Sequence, residues 1–264
     1  MRFRTLLGRD VRHVTPLGGG SLSEVFAVWL ADGREVVVKL APGAEAEARM
    51  LAAIGAAGCA APEVLSAEDG ILVMSRLEAG GAGDARSWRE AGAAVARLHA
   101  ARGAGYGWPE DHAFGDVAIP NGAAEDWPGF WGARRLMAAP EALPVEVARR
   151  LEKLCRALPG RLPATPPPAL LHGDLWSGNV LFGPEGFSGV IDPACYHGDG
   201  EVDLAMLTLF GRPPAAFFEG YGALPPGWEA RRTIYQLWPA LVHLRLFGAG
   251  YRGMVERLLD AAGV

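Results

Sequence analysis

Residues 171–182 read Leu171-His172-Gly173-Asp174-Leu175-Trp176-Ser177-Gly178-Asn179-Val180-Leu181-Phe182. Four residues, Leu175 to Gly178, separate the carboxylate of Asp174 from the amide of Asn179. Val180-Leu181-Phe182, a Gly183-Pro184-Glu185-Gly186 turn and the run Phe187 to Ile191 then predict a short hairpin that ends on Asp192. Such a hairpin returns a second acid to the neighbourhood of Asn179. An amide and a carboxylate are oxygen donors, and Mg²⁺ is held by a few such donors while substrate phosphates and water complete its shell. Asp174 is then placed to take the proton of an acceptor hydroxyl. Singly, these residues have ordinary readings as a turn residue, a cap and a strand-end acid. Together, at this spacing and after a strand, they point to phosphoryl transfer.

The spacing is that of the protein-kinase catalytic loop, H-R-D-x-x-x-x-N. Upstream, Gly18-Gly19-Gly20-Ser21-Leu22-Ser23-Glu24-Val25 matches the kinase loop G-x-G-x-x-G-x-V with Ser23 at the third glycine. Gly18, Gly20 and Ser21 are the candidates to bring backbone amides onto nucleotide phosphates. The runs Val25 to Leu30 and Arg34 to Leu40, joined by Ala31-Asp32-Gly33, predict a β-hairpin. It carries Lys39. Only two of the chain's 25 basic residues are lysines; Lys153 lies on a polar stretch, whereas Lys39 interrupts an apolar strand. An ammonium there would face the α- and β-phosphates, oriented by an acid on the following helix. The predicted helix 44–57 offers both Glu45 and Glu47.

Composition is that of a globular chain. The 264 residues, at roughly 150 per domain, suggest one large domain or two small ones. Half the residues are hydrophobic, and a net charge of −5 argues against a nucleic-acid partner. Cys59, Cys155 and Cys195 form no C-x-x-C pair, so neither a disulfide framework nor a zinc site is expected. The start lacks a signal-peptide core and no run is long enough to span a membrane, so a cytoplasmic protein is the expectation.

A further strand is predicted over Ile71 to Met74, and from about Leu77 helical patterns dominate: 87–101, 127–138, 146–158, 202–210 and 228–247. The expected fold class is therefore α+β and bilobal, of protein-kinase-like type. Residues 1–75 make a small β-rich N-terminal lobe with one helix, and 76–264 a larger, mainly helical C-terminal lobe, with a hinge about 74–80. Asp203, opening an apolar helix, and His172 are expected to brace the catalytic loop. His99, His112 and His243 show no ligand spacing. Trp127, Trp131, Trp228 and Trp238 are expected in the core or lining a groove.

With these residues in hand, the chain resembles the fructosamine kinase (ketosamine-3-kinase) family, a branch of the aminoglycoside-phosphotransferase-like group. The resemblance rests on HGDLWSGN at 172–179, Ile191-Asp192-Pro193-Ala194, GDGEVDLAM at 198–206, Glu47-Ala48-x-x-Leu51, Gly105-Tyr106-Gly107, Asp126-Trp127, Arg135-Leu136 and Leu246-Phe247-Gly248-x-Gly250-Tyr251. It implies ATP-dependent phosphorylation of the sugar 3-hydroxyl of a ketoamine, small or protein-bound; the sequence leaves the oligomeric state open, with a monomer as the default. By that implication Asp174 is the base, Asn179 and Asp192 are magnesium ligands, and Lys39 with Glu47 holds the phosphates. Met74 and Arg76 flank the strand end where adenine is read by backbone groups. Two departures stand out: Ser75 where such kinases usually carry an acid, and a compact loop between Asp111 and Asp126. The competing readings are a kinase of the same fold for an aminoglycoside, choline or homoserine, and a nucleotide-binding regulator without chemistry.

Overall fold

The computed structural model describes residues 7–18 and 23–264. A five-stranded antiparallel sheet is built from β1 (Val11–Pro16), β2 (Glu24–Leu30), β3 (Glu35–Leu40), β4 (Val64–Glu68) and β5 (Ile71–Ser75), in the order β1-β2-β3-β5-β4. Side chains alternate across a strand, so β3, the middle strand, divides its residues between two faces. Val36 and Val38 join an apolar cluster with Val28, Leu30 and Val73. Val37 packs on the other face with Ala44, Ala48, Leu51, Leu72 and Met74. Lys39 shares the parity of Val37, so its side chain leaves the sheet on the face that helix α1 (Ala44–Ala56) covers.

Helix α1 is gripped on two sides. Ala44, Ala48 and Leu51 face the sheet. Met50 and Ile54 are buried with Trp88, Leu98, Leu170, Leu175 and Cys195 of the helical part. Glu47, 7% exposed, is thereby fixed between the two.

The remainder is mainly helical: α2 (Ala85–Ala100), the hairpin β6 (His112–Phe114) and β7 (Val117–Ile119), α3 (Trp127–Trp131), α4 (Val145–Ala157), α5 (Glu201–Leu207), α6 (Ala215–Tyr221), α7 (Trp228–Phe247) and α8 (Arg252–Ala261). Asp84 and Asp126 cap α2 and α3, their side chains accepting from Ser87 N and Gly129 N. The predicted helix 127–138 is α-helical only to Trp131; a π turn, Gly132–Leu136, continues it. β8 (Ala169–Leu171) pairs with β11 (Tyr196–Gly198), and the predicted hairpin forms from β9 (Val180–Gly183) and β10 (Gly186–Val190). Trp127 and Trp131 lie wholly in the main core, and Trp228 and Trp238 are buried. No helix among the described residues is long and apolar enough to cross a membrane.

Candidate active site

The loop after β8 is held by backbone donors that converge on one acid. Asp203, in the first turn of α5 and fully buried, accepts the backbone amides of His172 at 2.7 Å and Gly173 at 2.9 Å. His99 of α2 lies 3.1 Å from the same carboxylate, and its Nδ1 lies 2.9 Å from the Tyr221 hydroxyl. Burial alone would raise the Asp203 pKa; the His99 and backbone partners outweigh it and hold the carboxyl below its usual range. His172 Nε2 donates to the Ile191 carbonyl at 2.9 Å, and its Nδ1 accepts the Asp174 amide at 3.3 Å. Gly173 has φ +83°, and a Cβ there would meet the Ala194 carbonyl at 1.9 Å, so the turn admits only glycine.

Within this frame the acids meet. Asn179 Nδ2 donates to the Asp174 carbonyl at 2.9 Å and to its carboxylate at 3.3 Å. Burial, then the nearby Asp192 carboxylate, pushes the Asp174 carboxyl up to about 7, against the pull of the Asn179 amide. The Asn179 carbonyl accepts the Ile191 amide at 3.0 Å, so the β9–β10 hairpin returns Asp192 to the side of Asn179. Asp192 adopts φ +54°, a conformation uncommon for any residue but glycine. Its Oδ1 accepts from Lys39 Nζ at 2.7 Å.

Lys39 lies against Glu47 rather than Glu45, with its Nζ 2.9 Å from Oε1 and 2.7 Å from Oε2 of Glu47. Glu45 instead accepts the Gly70 amide in the β4–β5 turn. Burial works to strip the Lys39 proton, but Glu47 and Asp192 outweigh it and the ammonium is held above its ordinary pKa. The donor set fits magnesium. Asn179 spends its NH₂ group on Asp174, which leaves its side-chain oxygen for a ligand, and the Asp192 side chain is 45% exposed. No cluster of three or more His, Cys, Asp or Glu able to close around a metal occurs among the described residues. One acid and one amide suit a cation whose other ligands are phosphate and water.

Of the remaining candidates, Gly18 follows β1, and Gly20 and Ser21 lie outside the described residues. Met74 is buried in β5 against Val37 and Leu51. Arg76 pairs its guanidinium with Glu35 and lays it over the Trp29 ring.

One wall beside Asp174 escaped the sequence. A small cavity of about 20 Å³ at Asp174, room for about one water molecule, is walled by Phe114, Val202, Met206, Trp238, Pro239, Val242 and His243. His243, which spacing had left without a role, donates from Nδ1 to the Pro239 carbonyl at 2.8 Å, so its Nε2 is an acceptor in the neutral ring. The one available signal was the pairing of 238 with 242 and 239 with 243 on a single helical face. Trp176, beside Asp174 in the loop, is 39% exposed.

A family model described as fructosamine kinase matches residues 4–262. A protein named as a probable ketoamine kinase from Synechocystis sp. is 35% identical, over 92% of this chain and 88% of its own length. The crystal structure assigned as a fructosamine-3-kinase from Thermobifida fusca superimposes with a TM-score of 0.89 at 34% identity, covering 99% of this chain and 96% of that one. A macrolide 2′-phosphotransferase from Brachybacterium faecium, at 20% identity and TM-score 0.64 over 98% and 97% of the two chains, shares the fold.

Proposed function

The chain belongs to the fructosamine kinase family, and from that premise we propose how its residues divide the work of phosphorylating a ketoamine. The protein is a ketoamine kinase, an ATP-dependent phosphotransferase acting on a sugar hydroxyl. Its fold is α+β and protein-kinase-like.

In this reading Asp174 receives the proton of the sugar 3-hydroxyl and, more importantly, aims its oxygen at the γ-phosphorus. Phosphoryl transfer passes through a loose transition state, so alignment and charge neutralisation carry most of the catalysis. Lys39, steadied by Glu47, donates to phosphate oxygens. Asn179 and Asp192 would hold magnesium, which when bound would neutralise charge on the nucleotide phosphates. Gly18, Gly20 and Ser21 offer backbone amides, and the strand end at Met74 and Arg76 offers an apolar wall and backbone groups to adenine. We divide the chain at the same place, with residues 1–75 serving the nucleotide, 76–264 serving the acceptor, and the hinge about 74–80. A cytoplasmic monomer acting on small or protein-bound ketoamines completes the proposal.

One observation carries it: Lys39, from the middle of the sheet, touches Asp192 at 2.7 Å, while Asp174 and Asn179 stand on the neighbouring loop. The test is ADP release with ribulosamine, erythrulosamine and fructosamine acceptors, with and without magnesium, and phosphorus NMR to locate the phosphate. Magnesium-dependent release with a 3-phosphate product is expected. Turnover that ignores magnesium, or phosphate on another hydroxyl, would remove the assigned roles.

A further inference from the structure

Arg135 is the least comfortable residue in the core. It is 1% exposed, and no carboxylate forms an ion pair with it among the described residues. A buried ion costs several kcal/mol unless its surroundings replace water. Here they do so in two ways. The guanidinium carbon sits 4.0 Å from the Tyr196 ring centroid, 4.9 Å from Phe130 and 5.4 Å from Trp238. Its two terminal nitrogens donate to oxygens, Nη1 to the carbonyls of Pro120 at 2.7 Å and Arg134 at 2.9 Å and Nη2 to Asn121 Oδ1 at 2.8 Å, while the buried Nε has no hydrogen-bond partner among the described residues. Filling the volume alone would be served by methionine or leucine at no electrostatic cost.

The partners explain the charge. Asn121, also 1% exposed, takes its amide N–H to Asp111 Oδ1 at 2.7 Å and its side-chain NH₂ to the Glu110 carbonyl at 3.1 Å. Its carbonyl accepts the Trp108 amide and leaves no room for a Cβ at Gly107, which would sit 2.2 Å away. Glu110 and Asp111 lead into β6, and Pro120 and Asn121 leave β7. Arg135 and Asn121 therefore clamp both ends of the β6–β7 hairpin, and Phe114 of that hairpin lines the cavity at Asp174. Trp238, stacked on the same guanidinium, lines that cavity from α7. One cation thus ties together two walls that belong to different parts of the chain.

We propose that Arg135 and Asn121 are positioning residues for the acceptor, setting the Phe114 and Trp238 walls against which the reacting end of the sugar rests beside Asp174. This rests on the reading of the cavity as the acceptor site. The fork geometry is the essential part, because only a guanidinium can reach two oxygens and stack on rings at once.

The experiment is steady-state kinetics of Arg135→Lys, Asn121→Ala and Asn121→Asp against both substrates, with thermal midpoints measured in parallel. Arg135→Lys keeps the charge and gives up the fork. Its ketoamine KM should rise about tenfold, as for the loss of one charged hydrogen bond, with the ATP KM within about twofold of wild type. Asn121→Asp keeps the acceptor for Arg135 and should be milder than Asn121→Ala. Equal shifts in both KM values, no shift, or variants too unstable to assay would mean an ordinary structural role and overturn the proposal. Val242→Trp, which fills the cavity, is the separate arm. If it leaves the ketoamine KM unchanged, the cavity is not the acceptor site and both readings fall. If it raises that KM while Arg135→Lys does not, only the present proposal falls.

Discussion

Lys39 and Asp192, 153 positions apart in the chain, meet at 2.7 Å. The contact joins the middle strand of the sheet to the end of the β9–β10 hairpin. Glu47 approaches the same ammonium from α1, so Lys39 stands between two acids of different duty. Glu47 is 7% exposed and Asp192 open to the cleft, which makes the first an anchor and the second available to a ligand.

Removing the anchor should therefore misdirect Lys39 without removing it. Glu47→Gln is expected to lower kcat/KM for ATP by about 10–100-fold, the usual cost of losing a residue that orients a first ligand. Lys39→Met should cost more, about 10²–10³, because a donor to the transferring phosphate is lost outright. Initial rates at varied ATP check both. A Glu47→Gln enzyme with wild-type kinetics would show that Lys39 needs no orienting acid.

Asp174 supplies a prediction about acid. Burial and Asp192 hold its carboxyl at about 7. A cation bound by Asn179 and Asp192 adds positive charge beside it and favours the ionised form. Below its pKa the base is protonated and unable to take the hydroxyl proton. The acid limb of the kcat/KM profile for ketoamine should accordingly move to lower pH as magnesium is raised, by about one unit at saturation. Asp174→Asn should reduce kcat by about 10²–10⁴ while ATP binding by titration is retained. A limb that ignores magnesium would separate the base from the metal.

The catalytic loop was legible because its chemistry is written in contiguous residues: the spacing from Asp174 to Asn179 and the turn before Asp192 are local properties. The long helices were legible from periodic apolar positions. The misses have physical causes. Strands β1 and β4 are sheet edges paired on one side only, with mostly exposed or half-buried side chains, so alternation is faint. The hairpin β6–β7 has strands of three residues, too short for any period. The cavity at Asp174 draws on Phe114, Val202 and the pair Trp238 and His243 from three separate segments. No spacing rule relates such residues. Asp203 was read as a brace from its position ahead of an apolar helix, but that its load includes His99 could come only from the fold.

That load makes Asp203 the residue whose neutralisation should be most destructive. Its two oxygens serve two backbone amides and His99. In Asp203→Asn one oxygen becomes an NH₂ facing an N–H donor, and a buried charged hydrogen-bond network loses its acceptor. The expected destabilisation is about 3–5 kcal/mol, the range for breaking a buried pair. Below the melting transition, kcat should also fall while nucleotide affinity persists, since the loop and not the sheet is disturbed. Denaturant titration and ATP-analogue binding measure the two effects; a variant as stable as wild type would show that the loop is held by something else.

The buried histidines set the behaviour in mild acid. Four of the six, His112, His172, His197 and His243, have pKa values lowered, in each case first by burial. The unfolded chain binds their protons at its ordinary pKa, near 6.5, and the folded chain binds them only at lower pH. Between those values the unfolded state carries more protons, so stability falls as pH drops below about 6.5. Asp203 acts in the same direction but in a different window: its folded pKa is depressed, and its contribution is lost only as pH falls from about 4. Carboxyls raised by burial oppose this in the same window: Asp174, held at about 7, and Glu47 and Glu201 bind protons in the fold before the unfolded chain does. Thermal midpoints should thus decline between about pH 7 and pH 5 only by the excess of the four histidines over these acids, at up to about 1.4 kcal/mol per pH unit for each group. His172 is fully buried and donates to Ile191, so it should dominate, and His172→Asn should flatten that decline while lowering the midpoint at pH 7. A His172→Asn slope equal to wild type would mean that the imidazole is protonated in the fold and the loop is held by a charge instead of by a neutral donor.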